Sequence, residues 1–235
     1  MEENKWKTVL KGLVIGATMI VPGVSGGTMA IMLGIYDRLI LAVSSFGKNK
    51  KENFLFLLTF AISVGVGLFL FATPVTWLLK HYEIPTLCFF IVVILCGVPA
   101  IGKKSGVKNV RFSTVAYMLL GAIIVVCISR IPGNVFRTES FVGLMLAGVL
   151  SAAALILPGI SFSHFLLVLG IYNQLLESMQ TLDVSFLLPL GAGVLMGIVL
   201  LSKLLESLMR NYPKQTYMII LGFILGSAAE IAAGF

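Results

Sequence analysis

The chain has 235 residues, of which 58% are hydrophobic and 11% charged, and its mean hydropathy is +1.04. A soluble domain carries about 25% charged residues, so a chain this apolar cannot face water on all sides, and lipid must be its solvent. The net charge of +7 does not indicate a nucleic-acid partner, because the Lys and Arg residues lie in short loops between apolar runs. The composition predicts one all-α integral membrane domain over residues 1–235, with no sizeable soluble domain.

The first apolar segment is interrupted by a helix-breaking pair, Pro22-Gly23. Residues 8–21 would form about 21 Å of helix at 1.5 Å per residue, too short to cross roughly 30 Å of hydrocarbon. Residues 8–46 are therefore either one broken span or a re-entrant hairpin that returns to the side it entered.

Five other apolar runs are long enough to cross the hydrocarbon completely. They cover residues 54–79, 85–102, 113–130, 184–208 and 214–233. Short polar turns separate the first two runs and the last two: Lys80-His81-Tyr82 and Arg210-Asn211-Tyr212. We therefore expect five full transmembrane helices in addition to the interrupted segments.

The first interrupted segment has a second copy in the chain, since residues 12–40 and 148–176 align without a gap. The shared positions are Pro22-Gly23 with Pro158-Gly159, Ser25 with Ser161, and Leu33-Gly34-Ile35-Tyr36 with Leu169-Gly170-Ile171-Tyr172. Apolar residues can match by chance, but Pro, Gly, Ser and Tyr rarely do so in fixed register. The pattern predicts an internal duplication, with repeat 1 over residues 8–102, a linking helix over 113–130 and repeat 2 over 140–233.

Loop charges distinguish a spanning segment from a re-entrant one. If both interrupted segments are re-entrant, thirteen Lys and Arg residues share one side of the membrane and three lie on the other; if both span, the split is nine to seven. The thirteen are Lys5, Lys7, Lys11, Lys48, Lys50, Lys51, Lys103, Lys104, Lys108, Arg111, Lys203, Arg210 and Lys214, and the three are Lys80, Arg130 and Arg137. The positive-inside rule favours two re-entrant helical hairpins and a cytoplasmic N-terminus.

This arrangement also predicts how the two repeats are related. Three full spans separate the hairpins, and an odd number inverts the second half relative to the first, so we expect an inverted-topology repeat with an external C-terminus. Inverted repeats with interrupted helices that meet near the midplane are typical of transporters.

The hairpin tips are candidate anion sites. The candidate groups are Ser25, Gly26, Gly27 and Thr28 in the first tip and Ser161, Ser163 and His164, beside Gly159, in the second. Glycines allow close backbone approach, and free N–H groups at a helix start bind anions. The alternative is that Ser25 and Ser161 only cap their helices. A helix end favours an anion by about 0.3–2 kcal/mol, less than the several kcal/mol of desolvation, so water, a cationic side chain or a protonated phosphate must assist.

Several ionisable side chains are further candidates. His164 could be a cation that pairs with phosphate and couples transport to protons, or a neutral side chain hydrogen-bonded to the first hairpin. Arg38 lies 13 residues after Ser25, about 20 Å along a continuous helix, where it either snorkels to the headgroups or contacts a lipid phosphate. Arg130, with Arg137, either anchors the predicted outer interface or gathers anionic headgroups.

The paired blocks, PGVSGGT to GIY over residues 22–36 and PGIS to GIY over residues 158–172, resemble the bacterial polyprenyl-phosphate transporter family. The resemblance implies a carrier in the bacterial plasma membrane that returns undecaprenyl phosphate from the outer to the inner leaflet for reuse in peptidoglycan and other envelope synthesis. The second block departs from the family pattern: after PGIS, where that pattern has Gly-Ser-Phe, this chain has Phe162, Ser163 and His164.

Two other functions remain open. The blocks also resemble undecaprenyl-pyrophosphate phosphatases, which have a PGxSRSxxT motif, a glutamate pair and a tip histidine. Here Gly26 takes the place of the motif arginine, and no Glu precedes either tip in residues 8–22 or 140–158. The carboxylates that would hold a metal for phosphoanhydride cleavage are thus missing.

A small-anion carrier or channel is the third function, and an apolar groove open to lipid would distinguish a lipid carrier from it. We expect no catalytic residue, metal or cofactor. The expected partners are a polyprenyl phosphate and membrane lipids, while coupling to protons or another cation and a homo-oligomeric state stay open.

Overall fold

The computed structural model describes residues 5–107, 112–131 and 140–233, and within these ranges the chain forms eleven α-helices. They are α1 Lys5–Thr18, α2 Gly26–Met32, α3 Tyr36–Ser44, α4 Lys50–His81, α5 Glu83–Lys104, α6 Phe112–Arg130, α7 Phe141–Ile156, α8 Phe162–Leu169, α9 Tyr172–Thr181, α10 Val184–Asn211 and α11 Pro213–Ala233. Helices α4, α5, α6, α10 and α11 are long and apolar enough to cross a membrane. The prediction of an all-α membrane protein with five spans is confirmed. Lys108, Arg111 and Arg137 lie outside the described residues.

Equivalent positions of the two halves share unusual backbone conformations. Gly23 and Gly159 have φ of 81° and 84°, and Gly34 and Gly170 have φ of 68° and 75°. These left-handed values favour glycine because it has no Cβ atom. Single residues join α4 to α5 and α10 to α11, and both are tyrosines in nearly the same conformation, Tyr82 at φ −138°, ψ 52° and Tyr212 at φ −132°, ψ 54°. The resemblance between the halves therefore extends from sequence to backbone geometry.

The first hairpin returns to the end where it began, because α1 packs parallel to α4. A Cβ atom added to Gly12 would lie 3.2 Å from the Phe60 carbonyl oxygen, and one added to Gly16 would lie 2.1 Å from that of Val64. Each step of four residues along α1 therefore matches a step of four along α4. Since both helices point the same way, the chain between them must come back to its starting end.

The second hairpin follows the same rule, with α7 parallel to α10. A Cβ atom on Gly193 would lie 2.1 Å from the Met145 carbonyl oxygen, and one on Gly197 would lie 2.7 Å from that of Val149. Helices α6 and α11 are also parallel, since Gly222 packs in this way on Met118 and Gly226 on Ala122. These contacts are the small-residue faces through which membrane helices approach closely.

The two hairpins enter from opposite ends of the molecule. Lys104 at the end of α5 contacts Asp37 of α3, at 2.6 Å, and the ring of Tyr217 near the start of α11. Arg38 of α3 shares a cavity with Lys5 and with the start of α4. Helices α1, α4 and α11 therefore begin at this end, whereas α5 and α10 finish there. Because α7 is parallel to α10, it begins at the other end.

One predicted feature of the first hairpin is wrong. Ser25 and Arg38 do not lie on a continuous helix, because α2 ends at Met32 and α3 leaves at 113° to it. The Gly34 N–H donates to the Ile31 carbonyl and the Ile35 N–H to that of Ala30, which with the left-handed Gly34 is a Schellman helix end. Arg38 is therefore turned across the molecule instead of lying about 20 Å down the helix.

Candidate functional site

The two hairpin tips are in direct contact. The Gly159 N–H donates to Thr28 Oγ1 at 2.9 Å, and the Thr28 side chain is fully buried. A Cβ atom on Gly27 would lie 3.3 Å from Pro158 Cα, so this glycine allows the backbones of the two tips to approach. The Tyr36 hydroxyl donates to the Ile156 carbonyl at 2.9 Å. Gly27 and Thr28, which the sequence suggests as ligand-binding residues, are thus used here to join the tips.

Both tips also rest on the central helix α11. A Cβ atom on Gly23 would lie 2.5 Å from the Ile231 side chain, and one on Gly159 would lie 2.3 Å from the Phe223 carbonyl oxygen. Helix α11 is the most deeply buried of the five spans. The tips and α11 therefore form one packed layer inside the bundle, at the depth where the interrupted helices meet.

The tip serines occupy helix N-caps without capping. Ser25 precedes α2 and Ser161 precedes α8, both in extended conformation, and neither side chain accepts a hydrogen bond from its helix. Ser140 before α7 and Asp183 before α10 do make such bonds, to Gly143 and Ser185. The structure therefore does not show Ser25 and Ser161 acting as side-chain caps, which was the alternative to a ligand-binding role. Their hydroxyls stay available beside the first-turn N–H groups, which have no acceptor within a helix.

The exposed part of the second tip carries Ser163 and His164. His164 has no hydrogen-bond partner within the described residues, so the structure does not contain the bond to the first hairpin that was one of the two alternatives for this side chain. In the alignment His164 is the counterpart of Thr28, yet Thr28 is fully buried and His164 exposed. Of the candidate polar residues of the tips, Ser163 and His164 are thus exposed, Ser161 and Gly26 are half-buried, and Ser25 is buried.

Arg38 is held by three partners that the sequence alone does not reveal. Its Nη1 donates to Asn53 Oδ1 at 2.9 Å, its Nη2 forms an ion pair with Glu52 at 2.7 Å, and its guanidinium lies 4.7 Å from the centre of the Phe56 ring. If Arg38 only snorkelled to the headgroups, its guanidinium would not be held by the buried side-chain amide of Asn53. Arg38 is fixed at the junction of α3 and α4.

The opposite end of the molecule is less charged. Arg130 is exposed at the last residue of α6, while its predicted companion Arg137 lies outside the described residues. Glu230 near the end of α11 accepts a hydrogen bond of 2.7 Å from the Ser129 hydroxyl and is half-buried. Its carboxylate is therefore bonded to α6 and is not simply a solvated group at a helix end.

A cavity of about 740 Å³ opens between the starts of α1 and α4 and the side of α3. It lies at the end of the molecule that carries Lys5, Lys50, Lys51 and Lys104, which we call the cationic end. Its lining includes Lys5, Arg38, Lys50, Lys51 and Glu52, next to the apolar side chains of Leu55 and Phe56. A smaller apolar cavity of about 380 Å³ lies by the Tyr82 joint. The tips line neither of these two cavities, which agrees with their close packing on one another.

Known proteins resemble this chain along almost its whole length. Residues 15–234 match the family described as undecaprenyl phosphate translocase-like. A protein of Vibrio cholerae serotype O1, named polyprenyl-phosphate transporter, is 30% identical over 97% of this chain and 78% of its own length. A protein of Staphylococcus aureus with the same name is 32% identical over 100% of this chain and 88% of its own. No solved structure matches. The chain therefore belongs to the undecaprenyl phosphate translocase-like family.

Proposed function

We propose that this protein carries undecaprenyl phosphate from the outer to the inner leaflet of a bacterial plasma membrane, for reuse in envelope synthesis, and that it is not an enzyme. The observation behind the proposal is the contact between two oppositely directed hairpin tips in a chain of this family. Both relatives described above are named polyprenyl-phosphate transporter. A lipid carrier needs a polar passage for the headgroup while the tail stays in the bilayer, and interrupted helices provide that passage.

The phosphate binds at the tips. Ser25 and Ser161 offer hydroxyls that cap no helix, the first turns of α2 and α8 offer N–H groups, and His164 is an exposed group able to become a cation. Ser163 and Gly26 complete the site, while Gly27 and Thr28 keep the tips together. Protons or another cation acting through His164 would couple the cycle to a gradient.

The cationic end faces the cytoplasm in this proposal, by the positive-inside rule. The N-terminus is then cytoplasmic, and the two halves form an inverted repeat. Arg130 is the first contact for the headgroup on the outer side and Arg38 is the last on the inner side. Rocking one half against the other would expose the tips alternately, and it must break the Thr28–Gly159 and Tyr36–Ile156 hydrogen bonds.

Translocation of labelled undecaprenyl phosphate in proteoliposomes tests the proposal. We expect Ser25→Ala, Ser161→Ala and His164→Ala each to lower the rate by about tenfold or more, since a hydrogen bond to a charged group contributes about 1.5–3 kcal/mol. Ser185→Ala, at an exposed helix start far from the tips in the chain, is the matched control. Unchanged rates in all three tip variants would exclude the tips as the site.

Two side assays separate the other functions. Release of free phosphate from undecaprenyl pyrophosphate would favour a phosphatase, and transport of inorganic phosphate without lipid would favour a small-anion carrier.

A further inference from the structure

The cavity at the cationic end is lined by charged side chains on one part of its wall and by apolar side chains on another. Four cationic side chains and one carboxylate line it, so its charged lining carries an excess of positive charge. Leu55 and Phe56 form its apolar wall, and Leu55 and the preceding Phe54 are exposed on the outside of α4, where a membrane would contact them. The cavity thus combines a cationic pocket with a side open to lipid.

Arg38 is pre-oriented within this cavity. Asn53, which accepts from Arg38 Nη1, is itself buried, and its Nδ2 donates to the Ser45 carbonyl at 3.3 Å. Guanidinium has five N–H donors in a rigid fork, and the bonds to Asn53 and Glu52 use two of them. Three donors remain, in a plane set by Asn53 and by the Phe56 ring. A planar fork of this kind suits bidentate binding of phosphate oxygens.

We propose that this cavity binds the phosphate of a lipid phosphomonoester, as a second headgroup site at the cationic end, separate from the tips. The choice of a polyprenyl phosphate as that lipid rests on the proposed function. Glu52 forms the ion pair with Arg38 when no lipid is bound, and the phosphate oxygens replace the Glu52 carboxylate when the lipid binds. Lys50 and Lys51 neutralise the remaining charge, and the tail leaves past Leu55 into the bilayer.

The described residues of the second half do not repeat this charge pattern at the aligned positions. Gln174 stands at the position of Arg38 and Asn173 at that of Asp37, and both are exposed polar residues without charge. Within the part of the chain that the structure describes, the charged groups of the basic cavity are therefore not duplicated by the repeat. A headgroup site at the cationic end gives the phosphate a resting place after it leaves the tips, on the side to which the carrier is proposed to deliver it.

Binding of farnesyl phosphate to the whole protein in nanodiscs of zwitterionic lipid tests the site. We expect Arg38→Gln to raise the Kd by about tenfold, and Arg38→Lys, which keeps the charge but loses the fork, to raise it less. Glu52→Gln should lower the Kd several-fold, because it removes the anion that competes with phosphate. Lys214→Gln, a cation of the same end outside the cavity lining, is the control and should leave the Kd unchanged.

The Glu52→Gln variant keeps the test decisive even if Arg38→Gln fails to fold, since a purely structural ion pair gives no gain in binding when it is broken. Equal Kd values for wild type, Arg38→Lys and Glu52→Gln would overturn the site. If inorganic phosphate bound as tightly as farnesyl phosphate and its binding depended on Arg38, the cavity would be a site for free phosphate. If phosphatidylglycerol did so, it would be a general site for anionic lipids. Either result would overturn the proposal.

The same preparations separate this site from the carrier function. Translocation by wild type together with Kd values insensitive to Arg38 and Glu52 would remove the cavity site and leave the carrier. Arg38-dependent binding without any translocation of undecaprenyl phosphate would remove the carrier and leave the headgroup site.

Discussion

Thr28 joins the two halves of the molecule through a single side chain. Its fully buried hydroxyl accepts a hydrogen bond from the Gly159 N–H. That N–H has no acceptor within a helix, because Pro158-Gly159 ends helical structure at this point. A buried N–H without a partner costs about 1–3 kcal/mol, and water is scarce at membrane depth. The hydroxyl is therefore needed for the stability of the tip contact.

Thr28→Val should lower the stability of the protein by about 1–3 kcal/mol, because valine keeps the shape but offers no acceptor. Thermal unfolding in detergent measures the change, and Thr28→Ser, which keeps the hydroxyl, should remain near wild type. A valine variant as stable as wild type would show that the Gly159 N–H finds another acceptor.

Gly159 has both a left-handed backbone and no space for a side chain. Gly159→Ala places a methyl 2.3 Å from the Phe223 carbonyl oxygen at φ 84°, so we expect severe loss of folded protein in detergent extracts. The matched control is Gly34→Ala, at φ 68° with nothing within 4 Å of the added carbon, which should cost only the backbone strain of about 1–2 kcal/mol. Equal yields of the two variants would contradict this packing of the second tip on α11.

At the scale of helices, close approach through glycine fixes the direction of each hairpin. Gly67 of α4 contacts the Leu13 carbonyl so tightly that an added Cβ atom would lie 2.2 Å from the oxygen, whereas Gly65 has nothing within 4 Å. Lipid gives apolar helices no hydrophobic reason to associate, so backbone proximity and dispersion hold α1 against α4. Only one of these two glycines should therefore be essential.

Gly67→Ala should destabilise the protein by about 1–3 kcal/mol through overpacking, since backbone rather than a flexible side chain must move. Gly65→Ala, two residues away on the same helix, should be neutral or slightly stabilising because alanine is the better helix former. Unfolding of both variants in a mixed-detergent titration provides the comparison. A destabilising Gly65→Ala with a neutral Gly67→Ala would reverse the assignment of the α1–α4 interface.

The five spans could be predicted because a helix that crosses the hydrocarbon needs an apolar run as long as the hydrocarbon is thick, and such runs are visible in the sequence. The 113° turn between α2 and α3 was not predicted, because a glycine is tolerated within an apolar helix and Leu33-Gly34-Ile35 looks like its continuation. The repetition of the same three residues at 169–171 was the available signal, since glycine shared by both copies suggests a helix end.

For the candidate site, the sequence indicated the two hairpin tips and their serines but not the partners of Arg38 or Asp37. Asn53, Glu52 and Lys104 come from helices that are neighbours only after folding. The roles of Gly27 and Thr28 were also hidden. A small or hydroxyl residue at a tip suits a ligand and a neighbouring backbone equally well, and only the position of Pro158-Gly159 distinguishes them.

At the scale of the whole molecule, the directions of the helices place most of the described basic residues at one end. Helices α1 and α4 begin there, α5 and α10 finish there, and the opposite end includes the turn around Leu182 before α10. The arrangement predicts one cationic and one weakly charged surface, which the membrane orients by the positive-inside rule.

Single cysteines in a variant with Ala at Cys88, Cys96 and Cys127 test this orientation. Lys5→Cys, Lys50→Cys and Lys214→Cys should react with an impermeant maleimide only after the cells are permeabilised, because the reagent must reach the cytoplasmic face. Leu182→Cys should react in intact cells. Position 5 reacting from one side and position 50 from the other would rule out the re-entrant first hairpin.

The hydrogen bond between Thr28 and Gly159 joins residues 131 positions apart, which has a consequence for biogenesis. When the first hairpin leaves the ribosome, the segment that will cover it has not been synthesised, and α4, on which α1 rests, follows only after it. A re-entrant loop with open amides cannot settle alone in hydrocarbon. The insertion machinery must therefore shelter the nascent first half until the second half emerges, and a chain truncated between the halves should be cleared by membrane proteases.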